Sequence, residues 1–327
     1  MGIDVTYTNG IIAAREKYFL ASKLLSLCDM TAEEAFRALK DHGFGSGVET
    51  ASPHEFECLI QAEEEKTDAF IRQYSPTPIE AEYLFADRDY HNAKALFKCK
   101  RLGVDNGNMF APEGSFPLSV LEKAVESGDY SALSVGLKKT LEEAEKLLSE
   151  KAEAQKTVSG AEIGALFERA KYDRLLSVGR KNRTIQKWVT AKIDLTNILT
   201  VLRSADEKSA EAAIIAGGKV GQKTLLKFFE LDTEKFAALF HSTPYADFVK
   251  KCFEVRSLGQ PLTAPEKMLA SFEIDELFKK KYELKREQPF LYYVLRRRAE
   301  CANVRIVFVC LFAGLSGEEI TKRLRSF

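Results

Sequence analysis

Residues 84–103 read LFADRDYHNAKALFKCKRLG, and the chain says nearly the same thing twice more. Residues 188–206 read WVTAKIDLTNILTVLRSAD, and residues 294–315 read VLRRRAECANVRIVFVCLFAGL. In each, an acidic residue is followed three positions later by an asparagine, then by apolar residues on a helical spacing. The asparagines are Asn92, Asn197 and Asn303, 105 and 106 residues apart in a chain of 327. A period of that length is a domain, whereas a solenoid unit has about 20–50 residues. The chain reads as one helical module used three times, with units at 1–110, 111–215 and 216–327. Three like modules in one chain point to a ring or funnel.

The repetition extends beyond the asparagine. Phe36-Arg37-Ala38-Leu39, Tyr130-Ser131-Ala132-Leu133 and Phe236-Ala237-Ala238-Leu239 each place a leucine three residues after an aromatic. Each follows a helical stretch and a turn holding an acid: Asp29, Asp129 and Asp232. Every unit is therefore expected to begin with a helix pair and end with the asparagine helix.

The remaining pattern is helical throughout. Apolar residues near a 3.6 period predict a helix over 11–27 and another from Thr31, with Thr31 and Glu34 as a capping box. Ser52, Pro53 and Glu55 open a helix to about Gln73, which SPTP at 75–78 stops. Helices follow over 80–102, with Gly103 beyond the end, then 118–126, 130–153, 160–178 and 184–205. A loop is expected over 106–117. Lys208 stands where the other two phrases end in Gly103 and Gly314, so the second phrase helix is expected to run on or turn differently. Short paired helices at 223–231 and 233–240 precede 245–258, 264–281, the last phrase helix and 318–324. No segment alternates polar and apolar residues, so little or no sheet is expected.

Composition narrows the function. Lys+Arg and Asp+Glu are both 48, so no global field draws in nucleic acid or an acidic membrane. Six scattered cysteines, none in a C-x-x-C pair, read as reduced, mostly buried small apolar residues of a cytosolic protein. MGIDVTYTNG lacks the apolar stretch of a secretory signal, and Gly2 with Thr6 is too loose a match to imply acylation. The longest apolar stretch, 306–315, falls short of the about 20 helical residues that span a bilayer.

An acid at i and an asparagine at i+3 share one helix face. A buried amide must be satisfied at both ends, so the asparagine is expected to tie its helix to neighbouring chain. A catalytic or metal-binding reading lacks recurring partners: the second phrase has no histidine, and the third replaces Asp by Glu. His42, His54, His91 and His241 share no metal spacing. Residues 212–224, AAIIAGGKVGQKT, come within one substitution of a phosphate-binding loop, but Gln222 stands where glycine must let the backbone approach the phosphates. No catalytic residue, cofactor or metal is assigned. Lys279–Lys281, Lys285, Arg286, Arg296–Arg298 and Arg305 concentrate positive charge in the last third, as solvated faces or as a surface for an acidic partner or lipid headgroups.

The three phrases together resemble the C subunit family of V/A-type rotary ATPases, relatives of the eukaryotic V-ATPase d subunit. DYHNAKALFKCKRLG at 89–103 is similar to its D-x-x-N signature, IDLTNILTVLR at 193–203 to a second copy, and RRRAECANVRIVFVCLFAGLSGEEITKRL to its C-terminal pattern. The matching positions are Asp89, Asn92 and Lys100, then Asp194, Asn197 and Arg203, then Glu300, Asn303 and Arg305. The resemblance implies an all-α chain of three similar helical bundles with pseudo-threefold symmetry, forming a funnel. It implies a non-catalytic rotor subunit, one per complex, on the cytoplasmic face of the membrane. The implied partners are central-stalk subunits of D/F type and the membrane proteolipid ring, with membrane reached only through that ring. A helical adaptor for another partner fits the same modular reading.

Overall fold

Polar caps and glycine stops divide the chain into helices. The computed structural model describes residues 4–104 and 110–326. The helices are α1 (Val5–Arg15), α2 (Lys23–Leu27), α3 (Ala32–Asp41), α4 (Phe56–Tyr74), α5 (Pro78–Leu102), α6 (Leu118–Ser127), α7 (Val135–Glu153) and α8 (Gly160–Gly179). They continue as α9 (Arg183–Arg203), α10 (Glu207–Ala213), α11 (Gln222–Leu226), α12 (Thr233–Ala238), α13 (Ala246–Ser257), α14 (Thr263–Phe278), α15 (Gln288–Phe312) and α16 (Gly317–Arg323). The fold is all-α, with no strand among the described residues.

The capping boxes expected at Thr31/Glu34 and Ser52/Glu55 are formed, the second opening a 3-10 turn that leads into α4. Two more, at Ser159/Glu162 and Ser316/Glu319, start α8 and α16. Gly103 and Gly314 follow α5 and α15 at φ 64° and 71°, the left-handed region where a Cβ is costly.

Three expectations are corrected. The helix expected over 11–27 starts earlier, at Val5, and breaks between Arg15 and Lys23, where Ala21 takes φ 44°. The helix expected from Tyr130 starts at Val135, because Ser134 caps it with its hydroxyl on the Leu137 amide. The helix expected to Ala205 stops at Arg203, and Asp206 caps the separate α10, which contains Lys208. The expected loop over 106–117 falls partly on residues outside those described, as does Gly2.

Contacts gather into two bodies: Met1–Glu80 with Glu266–Phe327, and Ala81–Pro265. In the first, the terminal body, α15 packs most extensively on α4 and also meets α2 and α3. Phe36, Leu39, Leu59 and Ile60 close on Val304, Val307 and Phe308. Side chains of this size each contribute about 1.5–3 kcal/mol on full burial. In the second, the middle body, Phe97 of α5 meets Phe167 of α8, and Leu121, Leu137 and Leu141 complete the cluster. Phe228, Phe236, Phe240 and Phe253 form another aromatic cluster there. Of the aromatic-to-leucine repeats, Leu39 and Leu133 are buried, but Leu239 is 37% exposed, so the third copy does not use its leucine as core.

Cys28, Cys252, Cys301 and Cys310 are buried, Cys99 is half-buried and Cys58 is exposed. No helix among the described residues is long and apolar enough to cross a membrane.

Candidate functional site: the acid–asparagine clasps

The phrase helices α5, α9 and α15 bury their acid and asparagine together. Asp89, Asn92, Asp194, Asn197, Glu300 and Asn303 are all at most 5% exposed. Polar groups that deep require partners, and each set finds them in backbone.

In the first clasp, Asn92 Oδ1 accepts the Ala111 amide at 2.9 Å, and its Nδ2 donates to the Ala111 carbonyl at 3.1 Å. Asp89 Oδ1 then accepts the amides of Ser115 at 2.8 Å and Phe116 at 3.3 Å. Gly114 passes so close to Asp89 that a Cβ there would run into its carboxylate. Helix α6 begins at Leu118.

The second clasp repeats this residue for residue. Asn197 Oδ1 accepts the Ile215 amide at 2.8 Å, and Nδ2 donates to the Ile215 carbonyl at 2.7 Å. Asp194 accepts the amides of Lys219 at 3.0 Å and Val220 at 2.9 Å. Gly218 lies against Asp194 as Gly114 does against Asp89, and α11 begins at Gln222. Tyr245 adds its hydroxyl to Asp194 at 2.6 Å. The Gly-rich stretch at 217–224 thus points its backbone N–H groups at a carboxylate of the same chain. The preceding segment is helix α10, where a phosphate-binding loop has a strand.

The third clasp draws on both terminal segments of the chain. Asn303 Oδ1 accepts the Arg325 amide at 2.8 Å, and Nδ2 donates to the Arg325 carbonyl at 3.1 Å. Glu300 Oε1 accepts the amide of Leu20 at 2.6 Å. Leu20 lies three residues before α2, as Ser115 lies three before α6 and Lys219 three before α11. The N-terminal segment therefore takes the position that a linker fills in the first two clasps. The extra methylene of Glu lengthens the reach, and Arg297 donates to Glu300 Oε2 at 2.9 Å.

The electrostatics differ between copies. Burial pushes the Asp89 carboxyl up to about 6, opposed by its hydrogen bonds from Ser115 and Phe116. Burial also raises Glu300, with the Arg297 guanidinium opposing. Burial and the adjoining Asp194 both raise Tyr245.

The basic signature positions do not share an environment. Lys100 pairs with Glu126 at 2.5 Å and Glu122 at 3.6 Å, tying α5 to α6. Arg305 meets Glu57 through two nitrogens, at 2.8 Å and 3.0 Å, tying α15 to α4. Arg203 lies near Cys252, whose thiol burial pushes up to about 12 against the opposing charge of Arg203. Sequence reasoning missed Tyr245 and the partners of α15's arginines: Arg297 also meets Glu63 at 3.4 Å, and Arg298 meets Asp68 at 3.7 Å. No local pattern in the sequence announces these pairs, which follow from how the two helices lie. The later arginine, Arg305, meets the early acid of α4, and the earlier Arg297 and Arg298 meet its later acids, as antiparallel helices require.

No group of three or more metal-ligating side chains occurs among the described residues. The clasps define a class of protein: an all-α scaffold whose buried polar groups fasten linkers to long helices. The chain matches the ATP synthase (C/AC39) subunit family over residues 8–323. It is 22% identical over 283 residues to the C subunit of the V-type sodium ATPase of Enterococcus hirae, covering 83% of this chain and 82% of that protein. The chain belongs to the ATP synthase (C/AC39) subunit family, and it is a C subunit of a V/A-type ATPase.

Proposed function

We propose that this chain is the non-catalytic coupler in the rotor of its complex. It links central-stalk subunits of D/F type to the membrane proteolipid ring and transmits torque for ATP-coupled proton or sodium transport. In this reading, residues 1–110, 111–215 and 216–327 are three similar bundles about a pseudo-threefold axis. They form a funnel whose mouth receives the stalk, one copy per complex, at the cytoplasmic face.

The observation that carries this reading is the common register of the clasps. Ala111 and Ile215 are held by Asn92 and Asn197, and in this reading they stand at the two unit boundaries. Asp89, Asn92, Asp194, Asn197, Glu300 and Asn303 are then structural positions that stiffen each unit where it meets the next linker. A torque adaptor needs that stiffness, and buried, fully satisfied polar networks supply it.

The test is assembly of the complex with and without this chain. With it, stalk and ring subunits co-purify and ATP hydrolysis drives ion transport; without it, hydrolysis proceeds uncoupled. If the complex lacking the chain still couples, the reading fails. If the chain instead captures a partner outside the ATPase and leaves the ATPase subunits behind, it is a helical adaptor of another kind.

A further inference from the structure

Apart from Arg296, whose guanidinium lies 4.2 Å over the Phe19 ring, the basic residues singled out in the last third separate into two sets. Arg297, Arg298 and Arg305 face the acids of α4 and are committed to internal ion pairs. The other set lies between α14 and α15, in FKKKYELKR at 278–286. That stretch holds five cations (Lys279, Lys280, Lys281, Lys285, Arg286) and one acid, Glu283. Lys279 pairs with Glu276 at 3.1 Å, whereas Lys280, Lys281, Lys285 and Arg286 meet no carboxylate among the described residues.

Two aromatic rings share the same turn. Tyr282 is 90% exposed and Phe278 50% exposed. Lys281 Nζ stands 4.8 Å from the Tyr282 ring centre and 4.9 Å from that of Phe278. Every residue of 278–286 except Leu284 is exposed, so the cations fan outward instead of converging on a cleft.

We propose that the 278–286 turn is a membrane-surface contact that binds anionic lipid headgroups. A headgroup layer is a diffuse sheet of negative charge and needs no shaped pocket, which matches cations splayed over an exposed turn. Tyr282 and Phe278, which gain nothing in water, find an amphipathic medium at headgroup depth. An acidic protein partner would also use a tyrosine, but it needs cations gathered on one complementary patch, and the charges here are spread over an exposed turn. The inference goes beyond the coupling role proposed above, in which the membrane is reached through the ring, and it stands without that role.

Vesicle sedimentation of the purified full-length chain tests it. The chain is expected to sediment with phosphatidylglycerol-rich vesicles, to stay in solution with pure phosphatidylcholine, and to be released by salt. Each cation at an anionic surface is worth about fivefold in affinity, so Lys280→Glu with Lys281→Glu should weaken binding by well over tenfold. Tyr282→Ala should weaken it while leaving the salt dependence unchanged. Charge reversal at exposed Lys138 and Lys139 of α7 is the control and should change little. The proposal is overturned if anionic vesicles do not bind, if both vesicle types bind alike, or if the α7 control loses as much as the turn variant. It is also overturned if polyglutamate binds the turn and vesicles do not. These outcomes are read on the isolated chain, so they leave the coupling role to its own test.

Discussion

The Leu20 amide donates to Glu300 Oε1 at 2.6 Å, across 280 positions of sequence. That bond makes the N-terminal segment part of the third clasp. In the first two clasps the asparagine and the acid hold one continuous linker, four residues apart at Ala111 and Ser115 and again at Ile215 and Lys219. In the third, Asn303 holds Arg325 while Glu300 holds Leu20, so the pair grips two segments from opposite ends of the sequence.

Removing Glu300 should therefore loosen a segment far away in sequence. Glu300→Ala leaves the Leu20 amide without its acceptor and takes one carboxylate from half-buried Arg297. A loss of about 3–5 kcal/mol in urea unfolding is expected. Trypsin should cut faster at exposed Lys17 or Lys23 than in the native chain. Glu300→Gln keeps an acceptor for Leu20 and should cost less. Unchanged cleavage in Glu300→Ala would show that the clasp does not hold this segment.

The asparagines should rank by burial of their bonds. Both Asn197–Ile215 bonds are buried, whereas those of Asn92 to Ala111 are partly so. Asn197→Ala strands a buried amide and a buried carbonyl, a cost of about 2–4 kcal/mol. Asn92→Ala should cost less. Asn197→Asp should be no better than alanine, because it sets a carboxylate oxygen against the Ile215 carbonyl. Denaturation midpoints of the three variants measure the order.

Asp89 should make stability depend on pH in a direction opposite to that of a surface carboxylate. Its carboxyl is raised from an ordinary 3.8 to about 6 by burial. The folded state thus holds its proton more tightly than the unfolded state does. Its contribution is most favourable below about pH 4 and is lost as pH rises through about 6, by about 3 kcal/mol at most. Asp89→Asn keeps the acceptor for Ser115 and Phe116 and removes the titration. The variant should match or exceed the native chain in stability at pH 8, and the difference between the two should shrink toward pH 4. A native chain whose advantage over Asp89→Asn grows with pH would contradict this.

The glycines beside the acids should tolerate no side chain. Gly114→Ala and Gly218→Ala drive a Cβ into Asp89 and Asp194 and should each cost about 1–3 kcal/mol. Gly10, inside α1, leaves open space within 4 Å of where a methyl would stand, so Gly10→Ala should stabilise by about 0.5–1 kcal/mol. Thermal unfolding of the three variants separates a local collision from a general dislike of alanine.

Much of this was legible in the chain because it is local. Thr31 with Glu34 and Ser52 with Glu55 announce helix starts through bonds that span three residues. The phrase itself could be read because an acid and an asparagine three apart must share a helix face. The break at Arg15–Lys23 was not legible: the apolar spacing continues through it, and the bond that fixes Leu20 comes from Glu300. Nor was the fate of the arginines, since Arg297 and Arg305 look like surface charges until α4 is laid beside them.

What the sequence determined alone was the all-α chain and its repeated phrase: helices, caps and acid–asparagine pairs, all set by side chains within a few residues of one another. What the tertiary structure decided was which backbone each pair holds, and with it which basic residues are left over. Those outcomes depend on groups distant in the chain meeting in a low-dielectric interior, where an unpaired polar atom is costly and a terminal segment can serve as well as a linker.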